Sequence, residues 1–348
     1  MLFKKNDIYT LDQFIEKSLY NKKFGYYMKN DPFGKKGDFI TSPNISILFS
    51  EMIAIWIISF WEKLNCPKEF NLIELGAGNG EMMKAISSTF NKFPRFKDSC
   101  NIKILEKSYL LKKIQKKTIK YSKIKWLKDL DELNNFPCIF IANEFFDALP
   151  IKQFIKKNNK WHERYVKFTN QTKSKFLDIP YDIKKLDKEI HFKISSKQRF
   201  IEYSPLAFKY LKNITNKIKQ NNGGILIIDY GYIEKEMKNT IQAVSKHKYV
   251  EVLSNFGNAD ITYNLSFNCM GKMIKKMGSF FQATTTQKEF LTRLGILERA
   301  EILSKNISFI KKADMYFRIK RLIDDRQMGS LFKVILISNK KNKFKLGF

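Results

Sequence analysis

Short apolar runs separated by stretches of helical periodicity recur through the middle of the chain. Most of these runs are nearly continuous in apolar residues, which is typical of strands buried on both faces. They lie at residues 70–75, 102–105, 123–126, 138–142 and 225–230. Because helix-compatible stretches separate them, the pattern predicts an α/β fold with a parallel sheet. A last apolar run at 331–338 predicts a closing strand.

Helical spacing dominates the N-terminal part of the chain. Apolar residues recur at helical intervals between Thr10 and Phe24, which predicts a first helix. Residues 45–64 are apolar enough for a helix buried in the core. Further helices are expected at residues 205–220, 290–300 and 314–324.

The alternation of strands and helices stops after residue 150. Residues 151–201 are rich in lysine, and the runs 151–155 and 161–168 flank Asn158 and Asn159 as the arms of a β-hairpin would. We therefore expect four segments: 1–66, an N-terminal helical cap with the loop 37–43; 67–150, the ligand-binding half of a Rossmann-like sheet; 151–202, an inserted β-hairpin region; and 203–348, the second half of the sheet with helical additions.

Three glycines follow the first apolar run at alternate positions and form, with an acid inside that run, the pattern E-x-G-x-G-x-G. These residues are Glu74, Gly76, Gly78 and Gly80. A strand that passes through a glycine turn into a helix lets a ligand approach the backbone closely. A dinucleotide fingerprint would require its third glycine at position 81, where Glu81 stands. The pattern is that of S-adenosylmethionine (SAM) methyltransferases, since an acid there suits the cationic methionine end. A glycine-rich turn of another α/β protein is the alternative.

Two further features fit a nucleotide-like cofactor. Glu106 ends the second predicted strand, 26 residues beyond the last motif glycine, where an acid accepts hydrogen bonds from ribose hydroxyls. The loop 37–43 could cover the cofactor through Asp38 and Thr41. The alternatives are a solvent-facing charge for Glu106 and a simple helix start at Ser42 and Pro43.

Amide, carboxylate and aromatic side chains follow the fourth predicted strand, at the sheet edge where α/β enzymes place their sites. Glu144 and Asp147 are suited to holding a guanidinium group, and Asn143 is suited to orienting an N–H through its carbonyl oxygen. We assign these three as candidate catalytic residues, with His247 as a lesser acid–base candidate. The alternative is a helix start with Asn143 as its N-cap.

Composition narrows the class of protein. The chain has 348 residues, 44% hydrophobic and 14% aromatic, as globular proteins do. A net charge of +30, mostly from lysine, fits a surface for polyanions but equally a genome-wide compositional bias, so nucleic-acid binding stays possible and is not favoured. The four cysteines lack the C-x-x-C spacing of zinc sites, so we expect no metal site and no disulfide framework. The apolar stretch 52–61 is too short to span a bilayer.

Several segments together resemble one family, the MidA-type SAM-dependent methyltransferases, whose mitochondrial members are assembly factors of respiratory complex I. The resemblance covers nearly the whole chain and rests on the segments 25–43, 74–80, 142–150, 229–231, 242–244, 290–296 and 328–333. It implies a Rossmann-like sheet with helices on both faces and SAM as the cofactor. It also implies protein arginine N-methylation, with a complex I subunit or a similar protein as the substrate.

Some positions depart from the family pattern. Asn79 and Glu81 stand where Arg and Thr are common, and Asn264 and Ser266 stand where His and Asp are common, so the target protein is left open. An RNA methyltransferase and a non-catalytic assembly chaperone on the same fold are the alternatives. We expect a bacterial, cytoplasmic protein, and the mitochondrial matrix is less favoured because no signal or transit peptide is evident. The sequence also leaves the oligomeric state open.

Overall fold

The computed structural model describes residues 2–34, 37, 40–121 and 123–348. The chain divides into two compact units, each assembled from three segments. The first, named here the antiparallel-sheet unit, comprises Met1–Pro32, Phe146–Asn213 and Tyr232–Gly278. The second, named the parallel-sheet unit, comprises Phe33–Phe145, Ile214–Gly231 and Ser279–Phe348.

Strands and helices are numbered separately in chain order. The strands are β1 (Ile8–Thr10), β2 (Phe70–Leu75), β3 (Cys100–Leu105), β4 (Ile124–Leu127), β5 (Cys138–Asn143), β6 (Lys152–Lys157), β7 (Lys160–Phe168), β8 (Ser174–Pro180), β9 (Phe200–Tyr203), β10 (Gly223–Tyr232), β11 (Gln242–Ser245), β12 (Lys248–Val250), β13 (Asp260–Thr262), β14 (Leu265–Ser266), β15 (Phe280–Thr286) and β16 (Phe332–Asn339). The helices are α1 (Leu11–Tyr20), α2 (Tyr26–Lys29), α3 (Ser42–Ile45), α4 (Ile47–Lys63), α5 (Glu81–Phe90), α6 (Pro94–Ser99), α7 (Tyr109–Thr118), α8 (Ile183–Ile190), α9 (Pro205–Asn221), α10 (Phe267–Met277), α11 (Gln287–Arg293), α12 (Ile296–Ser304), α13 (Phe309–Ile323) and α14 (Met328–Leu331), and a short 3-10 turn covers Leu130–Glu132.

The sheet of the parallel-sheet unit has the strand order β15-β16-β10-β5-β2-β3-β4. The strands from β10 to β4 are parallel, and β16 is antiparallel to both of its neighbours. Leu75 at the end of β2 lies opposite Leu105 of β3 and Ala142 of β5. The chain leaves β2 towards β3 and returns on the other side at β5, so the strand order reverses between β2 and β5. Ligands of open α/β sheets bind outside the carboxyl ends of strands at such a point.

Apolar side chains of the central strands and of α4 form the core of this unit. All six residues of β2 and all six of β5 are buried, as expected for strands covered on both faces. Helix α4 buries Trp56 and Phe60, whose stacked rings have centroids 5.1 Å apart. Burying a side chain of this size contributes about 1.5–3 kcal/mol, so α4 adds substantially to the stability of this core. The α/β fold predicted from the sequence is confirmed.

The antiparallel-sheet unit contains two sheets. The larger has the strand order β1-β7-β6-β9, with β8 paired to β7, and the smaller has the order β12-β11-β13. Strands β6 and β7 form a hairpin whose turn residues are Asn158, with φ 47°, and Asn159, with φ 60°. Two consecutive left-handed residues make a type I′ turn, for which asparagine is well suited. The hairpin predicted around these two residues is confirmed.

Other boundaries differ from the sequence expectation. The single helix predicted over 290–300 is wrong, because Gly295 is left-handed with φ 83° and separates α11 from α12; a residue in this conformation commonly ends a helix. The predicted segment limits at 66/67 and 202/203 do not coincide with the limits of the two units. Helix α9 confirms the helix predicted at residues 205–220, and strand β16 confirms the closing strand predicted at residues 331–338. Among the described residues, none of the helices has both the length and the apolar character that crossing a membrane requires.

Candidate active site

The glycine loop connects the end of β2 to the start of α5. Gly76, Gly78 and Gly80 all have left-handed backbone angles, with φ of 66°, 53° and 85°. A Cβ atom added at Gly76 would lie 2.7 Å from the ring of Phe145, which is closer than such atoms approach. The loop therefore needs glycine here for both its conformation and its packing. The motif predicted from the sequence lies where a ligand can meet the backbone at the carboxyl edge of the sheet.

A cleft opens over this loop. It is lined by Phe33, Thr41, Pro43, Asn44, Glu74, Gly76, Ala77, Gly78, Asn79, Met82, Asn143 and Glu144. The structure thus brings together six of the residues assigned from the sequence, from the glycine motif, the loop before α3 and the end of β5. Gly80, Glu106 and Asp147 are not among these lining residues, and Asp38 lies outside the described residues.

Glu74, the penultimate residue of β2, presents a carboxylate to the cleft. The residue is only 2% exposed, and its Oε2 atom has no hydrogen-bond partner among the described residues. Burial raises the pKa of Glu74 to about 8, and the charge of Glu106 adds to the rise. A buried acceptor of this kind is costly unless a ligand supplies a donor. A cationic or N–H-bearing group bound in the cleft would satisfy it and favour the carboxylate.

Asn143 supplies a second acceptor from the end of β5. Its Nδ2 donates to Glu144 Oε1 at 3.1 Å. Its Oδ1 is buried and has no hydrogen-bond partner among the described residues. Because the amide is anchored through its nitrogen, the carbonyl oxygen is free to accept a hydrogen bond from a ligand.

Glu144 follows β5 with a left-handed backbone, φ 50°, which is strained for a residue other than glycine. Its backbone N–H donates to the carbonyl of Ile228 at 2.9 Å, and its Oε1 accepts from the backbone N–H of Ser42 at 3.1 Å. Burial raises the pKa of Glu144 to about 7, although the hydrogen bonds from Ser42 and Asn143 oppose the rise. The side chain therefore lines the cleft and anchors the start of α3. No helix begins at Asn143, so the helix-start alternative is wrong.

The segment around α3 forms another wall of the cleft. Asn44 Nδ2 donates to Thr41 Oγ1 at 2.7 Å, and Asn79 Nδ2 donates to Asn44 Oδ1 at 3.3 Å. Asn79, which departs from the family pattern, thus links the glycine loop to α3. Phe33 adds a ring beside Gly78, 3.4 Å from where a Cβ would be. The sequence analysis missed Phe33 and Asn44, although both lie in or beside the segment it singled out.

Glu106 is held beside the glycine loop by a buried network. Its Oε1 accepts from the backbone N–H of Ser108 at 2.8 Å, and its Oε2 accepts from Gln115 Nε2 at 3.0 Å. Gln115 Nε2 also donates to the carbonyl of Gly78 at 2.9 Å, and Gln115 Oε1 accepts from Trp126 Nε1 at 2.8 Å. Burial raises the pKa of Glu106, and these hydrogen bonds oppose the rise. The sequence analysis missed Gln115, whose only sequence signal is its place among the apolar positions of α7.

The remaining assigned residues lie in the antiparallel-sheet unit. Asp147 is buried, and its backbone carbonyl accepts from the N–H of Tyr263 at 3.2 Å. Burial raises the pKa of Tyr27, and the charges of Asp260 and Asp147 add to the rise. His247 is exposed in the turn between β11 and β12, with φ 60°. An exposed turn residue has no enclosed surroundings that would tune it for catalysis.

The two other departures from the family pattern have structural contacts in the same unit. Ser266 caps α10, its Oγ accepting from the N–H of Cys269 at 3.3 Å. The backbone N–H of Asn264 donates to Thr240 Oγ1 at 2.9 Å. Both residues therefore stabilise the local backbone.

Residues 52–284 match the model of a family of S-adenosyl-L-methionine-dependent methyltransferases. The chain is 30% identical over 366 residues to the protein arginine methyltransferase NDUFAF7, mitochondrial, of Xenopus laevis, a match that spans 97% of this chain and 83% of that protein. It is 29% identical over 351 residues to the protein of the same name from Homo sapiens, spanning 93% and 78%. The cytoplasmic location expected from the sequence is contradicted by these mitochondrial relatives.

Solved structures show the same fold. A crystal structure from Burkholderia thailandensis with S-adenosyl-homocysteine bound has a TM-score of 0.82 to this chain at 20% identity, covering 98% of this chain and 90% of that one. A native crystal structure from the same organism has a TM-score of 0.79 at 21% identity, covering 98% and 89%. The family match extends over most of the chain and includes the glycine loop, Glu106 and the end of β5. The chain therefore belongs to the S-adenosyl-L-methionine-dependent methyltransferase family.

Proposed function

We propose that this chain is a protein arginine N-methyltransferase that binds SAM in the cleft, with a subunit of respiratory complex I or a similar protein as its target. The relatives named protein arginine methyltransferase support the substrate class, and the family resemblance supports the target. One observation carries the proposal. Two buried oxygen atoms, Glu74 Oε2 and Asn143 Oδ1, have no hydrogen-bond partner in the part of the chain that the structure describes, and their residues line the same cleft as Glu144.

The residues of the cleft fit the cofactor. When bound, SAM supplies a methyl group attached to a positively charged sulfur. Glu74 suits the cationic methionine end, because a nearby positive charge lowers the pKa of its buried carboxyl and favours the ionised form. The glycine loop admits a ligand close to its backbone. Glu106, fixed by Ser108 and Gln115, suits the ribose hydroxyls.

Glu144 suits the arginine side chain of the target. A positively charged guanidinium favours the carboxylate form of a group whose pKa burial raises to about 7. The carboxylate then holds the guanidinium through charge-assisted hydrogen bonds. When the nitrogen–methyl bond forms and the sulfur–methyl bond breaks, the nitrogen loses a proton, and Glu144 is placed to accept it. Asn143 fixes the Glu144 side chain through its Nδ2.

The role of Asp147 as a further carboxylate for the guanidinium stays a prediction. Its carboxylate is buried in the antiparallel-sheet unit near Tyr27 and Asp260. Because that placement also fits a structural role, a separate variant of Asp147 has to test it.

The decisive experiment supplies methyl-labelled SAM and the purified protein to a cell lysate, with and without ribonuclease, and identifies the labelled residue after hydrolysis. We expect label in protein as methylarginine, unchanged by ribonuclease. Glu144→Gln should lower turnover roughly ten- to a hundredfold, because one charge-assisted hydrogen bond contributes about 1.5–3 kcal/mol. Its affinity for S-adenosyl-homocysteine should change little. Glu62→Gln, at an exposed position of α4, is the matched control and should leave both quantities unchanged.

Three results would contradict the proposal. Label that disappears with ribonuclease indicates an RNA methyltransferase. Label on a residue other than arginine refutes the substrate class. Tight binding of S-adenosyl-homocysteine without any transfer of label indicates a non-catalytic assembly chaperone that keeps the fold.

A further inference from the structure

Helix α13 carries apolar residues on two opposite sides. Ile319 and Leu322 face the core of the parallel-sheet unit and are buried. Phe309, Ile310 and Phe317 are instead 83%, 80% and 63% exposed. At 3.6 residues per turn these three positions share the outward side of the helix. An ordinary surface helix has charged and polar residues on that side, so this pattern calls for a partner.

Two further exposed apolar side chains precede the helix in the chain. Ile302 at the end of α12 is 59% exposed, and Ile307 in the connection to α13 is also exposed. We name Ile302, Ile307, Phe309, Ile310 and Phe317 the α13 outer face. Single exposed apolar side chains are common in proteins, but a group of them in one short segment marks an interaction site. Every residue from 305 to 314 is exposed, so this corner projects from its unit.

Positive charge surrounds the α13 outer face. Residues 296–323 contain seven Lys and Arg residues against three Asp and Glu residues. Lys320 is exposed and shares the side of α13 that carries Phe309 and Phe317. Lys305, Lys311 and Lys312 are also exposed at this corner. Asp314 is engaged by Arg318, with 2.7 Å between its Oδ2 and the arginine Nε. The charge on this corner therefore complements an anionic surface.

We propose that the α13 outer face docks on an anionic lipid bilayer, with Phe309 and Ile310 entering the interfacial region and the lysines contacting lipid headgroups. A helix that presents aromatic and aliphatic side chains flanked by lysines is typical of peripheral membrane binding. A second copy of the chain fits less well, because a two-fold contact through this face would bring the exposed Lys320 close to its own counterpart. A projecting corner also fits a deformable lipid surface better than the closely complementary surface of a protein partner.

Sedimentation with lipid vesicles tests the proposal independently of methyl transfer. The full chain is mixed with vesicles of phosphatidylcholine alone and with vesicles of equimolar phosphatidylcholine and phosphatidylglycerol. We expect binding to the anionic vesicles only, weakening as salt is added. The double variant Phe309→Ser with Ile310→Ser should bind the anionic vesicles at least about tenfold more weakly than the parent chain. Loss of one lysine in Lys320→Ser should weaken binding about fivefold.

Matched variants distinguish the effect of this face on vesicle binding from the general effect of exposed charge and exposed apolar side chains. Ile233→Ser removes an exposed apolar side chain, and the pair Lys275→Ser with Lys276→Ser removes two adjacent exposed lysines, all in the antiparallel-sheet unit. These controls should bind the anionic vesicles nearly as the parent chain does. Because the substituted side chains of the face are largely exposed, the variants should keep the parent melting temperature.

Several outcomes would overturn the proposal. They are equal binding to both vesicle types, no binding to either, or equal weakening by the control variants. Light scattering of the parent chain and of the double variant in solution tests a further outcome. If the parent chain is a dimer and Phe309→Ser with Ile310→Ser is a monomer, the face binds a second copy. Retention on immobilised polyglutamate without any vesicle binding would indicate an acidic protein partner instead.

Discussion

Replacing Gln115 by methionine should weaken cofactor binding through Glu106, although Gln115 does not line the cleft. Gln115 is fully buried, and its amide joins Glu106, the Gly78 carbonyl and Trp126 at 3.0, 2.9 and 2.8 Å. Methionine keeps the length of the side chain and an apolar fit, but it makes none of these hydrogen bonds. Gln115 is thus a positioning residue whose role can be separated from chemistry.

The contacts set the size of the effect. A neutral hydrogen bond contributes about 0.5–1.5 kcal/mol, and one to a charged group contributes about 1.5–3 kcal/mol. Losses within one network are not additive, so we expect the free energy of unfolding to fall by about 2–4 kcal/mol. Releasing Glu106 and the glycine loop should also weaken the binding of S-adenosyl-homocysteine by about tenfold, which corresponds to about 1.4 kcal/mol.

The pH dependence gives a second measurement of the same change. Burial raises the pKa of Glu106, and the hydrogen bond from Gln115 lowers it. Without that bond the pKa rises further, so the carboxylate takes up its proton at a higher pH as the solution is acidified. If the Glu106 carboxylate accepts hydrogen bonds from the ribose hydroxyls, the affinity for S-adenosyl-homocysteine falls when acid protonates it. In Gln115→Met this fall should occur at a higher pH than in the parent chain.

Calorimetric titration across pH, with thermal melting, measures both effects. Gln153→Met is the matched control, since Gln153 is also fully buried and its amide contacts Glu202, Asn239 and Arg164 at 2.8, 3.1 and 3.1 Å in the antiparallel-sheet unit. The control should lose stability and keep its affinity. Unchanged affinity in a folded Gln115→Met protein, or the same loss in both variants, would refute the positioning role.

Three other variants test the site. Gly78→Val places a β-branched residue at φ 53°, so we expect a loss of about 1–3 kcal/mol in stability and loss of S-adenosyl-homocysteine binding by calorimetry; unchanged affinity in a folded variant contradicts the cofactor assignment. For Glu144, burial raises the folded-state pKa from 4.5 to about 7. Between these two pH values the folded state holds a proton that the unfolded state has released, so the stability of the folded state falls as the pH rises through this range. Glu144→Gln should therefore melt higher than the parent chain above pH 7 and show little gain below pH 4.5, while methyl transfer falls; a lower melting temperature at every pH would refute this account. Asp147→Asn should lower turnover per folded molecule roughly tenfold or more if its carboxylate holds the guanidinium, and near-normal turnover would leave it a structural residue.

Local patterns account for what the sequence predicted well. The buried strands β2, β3 and β5 follow from short apolar runs, and the type I′ turn follows from the pair Asn158–Asn159. The spacing of the three glycines is enough to predict the glycine loop. Gln115 could not be found in this way, because its place among the apolar positions of α7 indicates burial but not a hydrogen-bonding role. Its role depends on Glu106, Gly78 and Trp126, which come from three other parts of the chain.

Glu144 shows most directly what conformation adds to sequence. A left-handed backbone costs a residue with a side chain about 1–2 kcal/mol, and stability alone favours Gly or Asn at such a position. The hydrogen bond from its N–H to the Ile228 carbonyl requires only the backbone. The carboxylate is instead explained by its contacts with Ser42 and Asn143 in the cleft. The strained turn directs this carboxylate to the edge of β5, beside the glycine loop. The substrate-binding role that we propose for Glu144 needs that placement, and a helix start at Asn143 would not provide it.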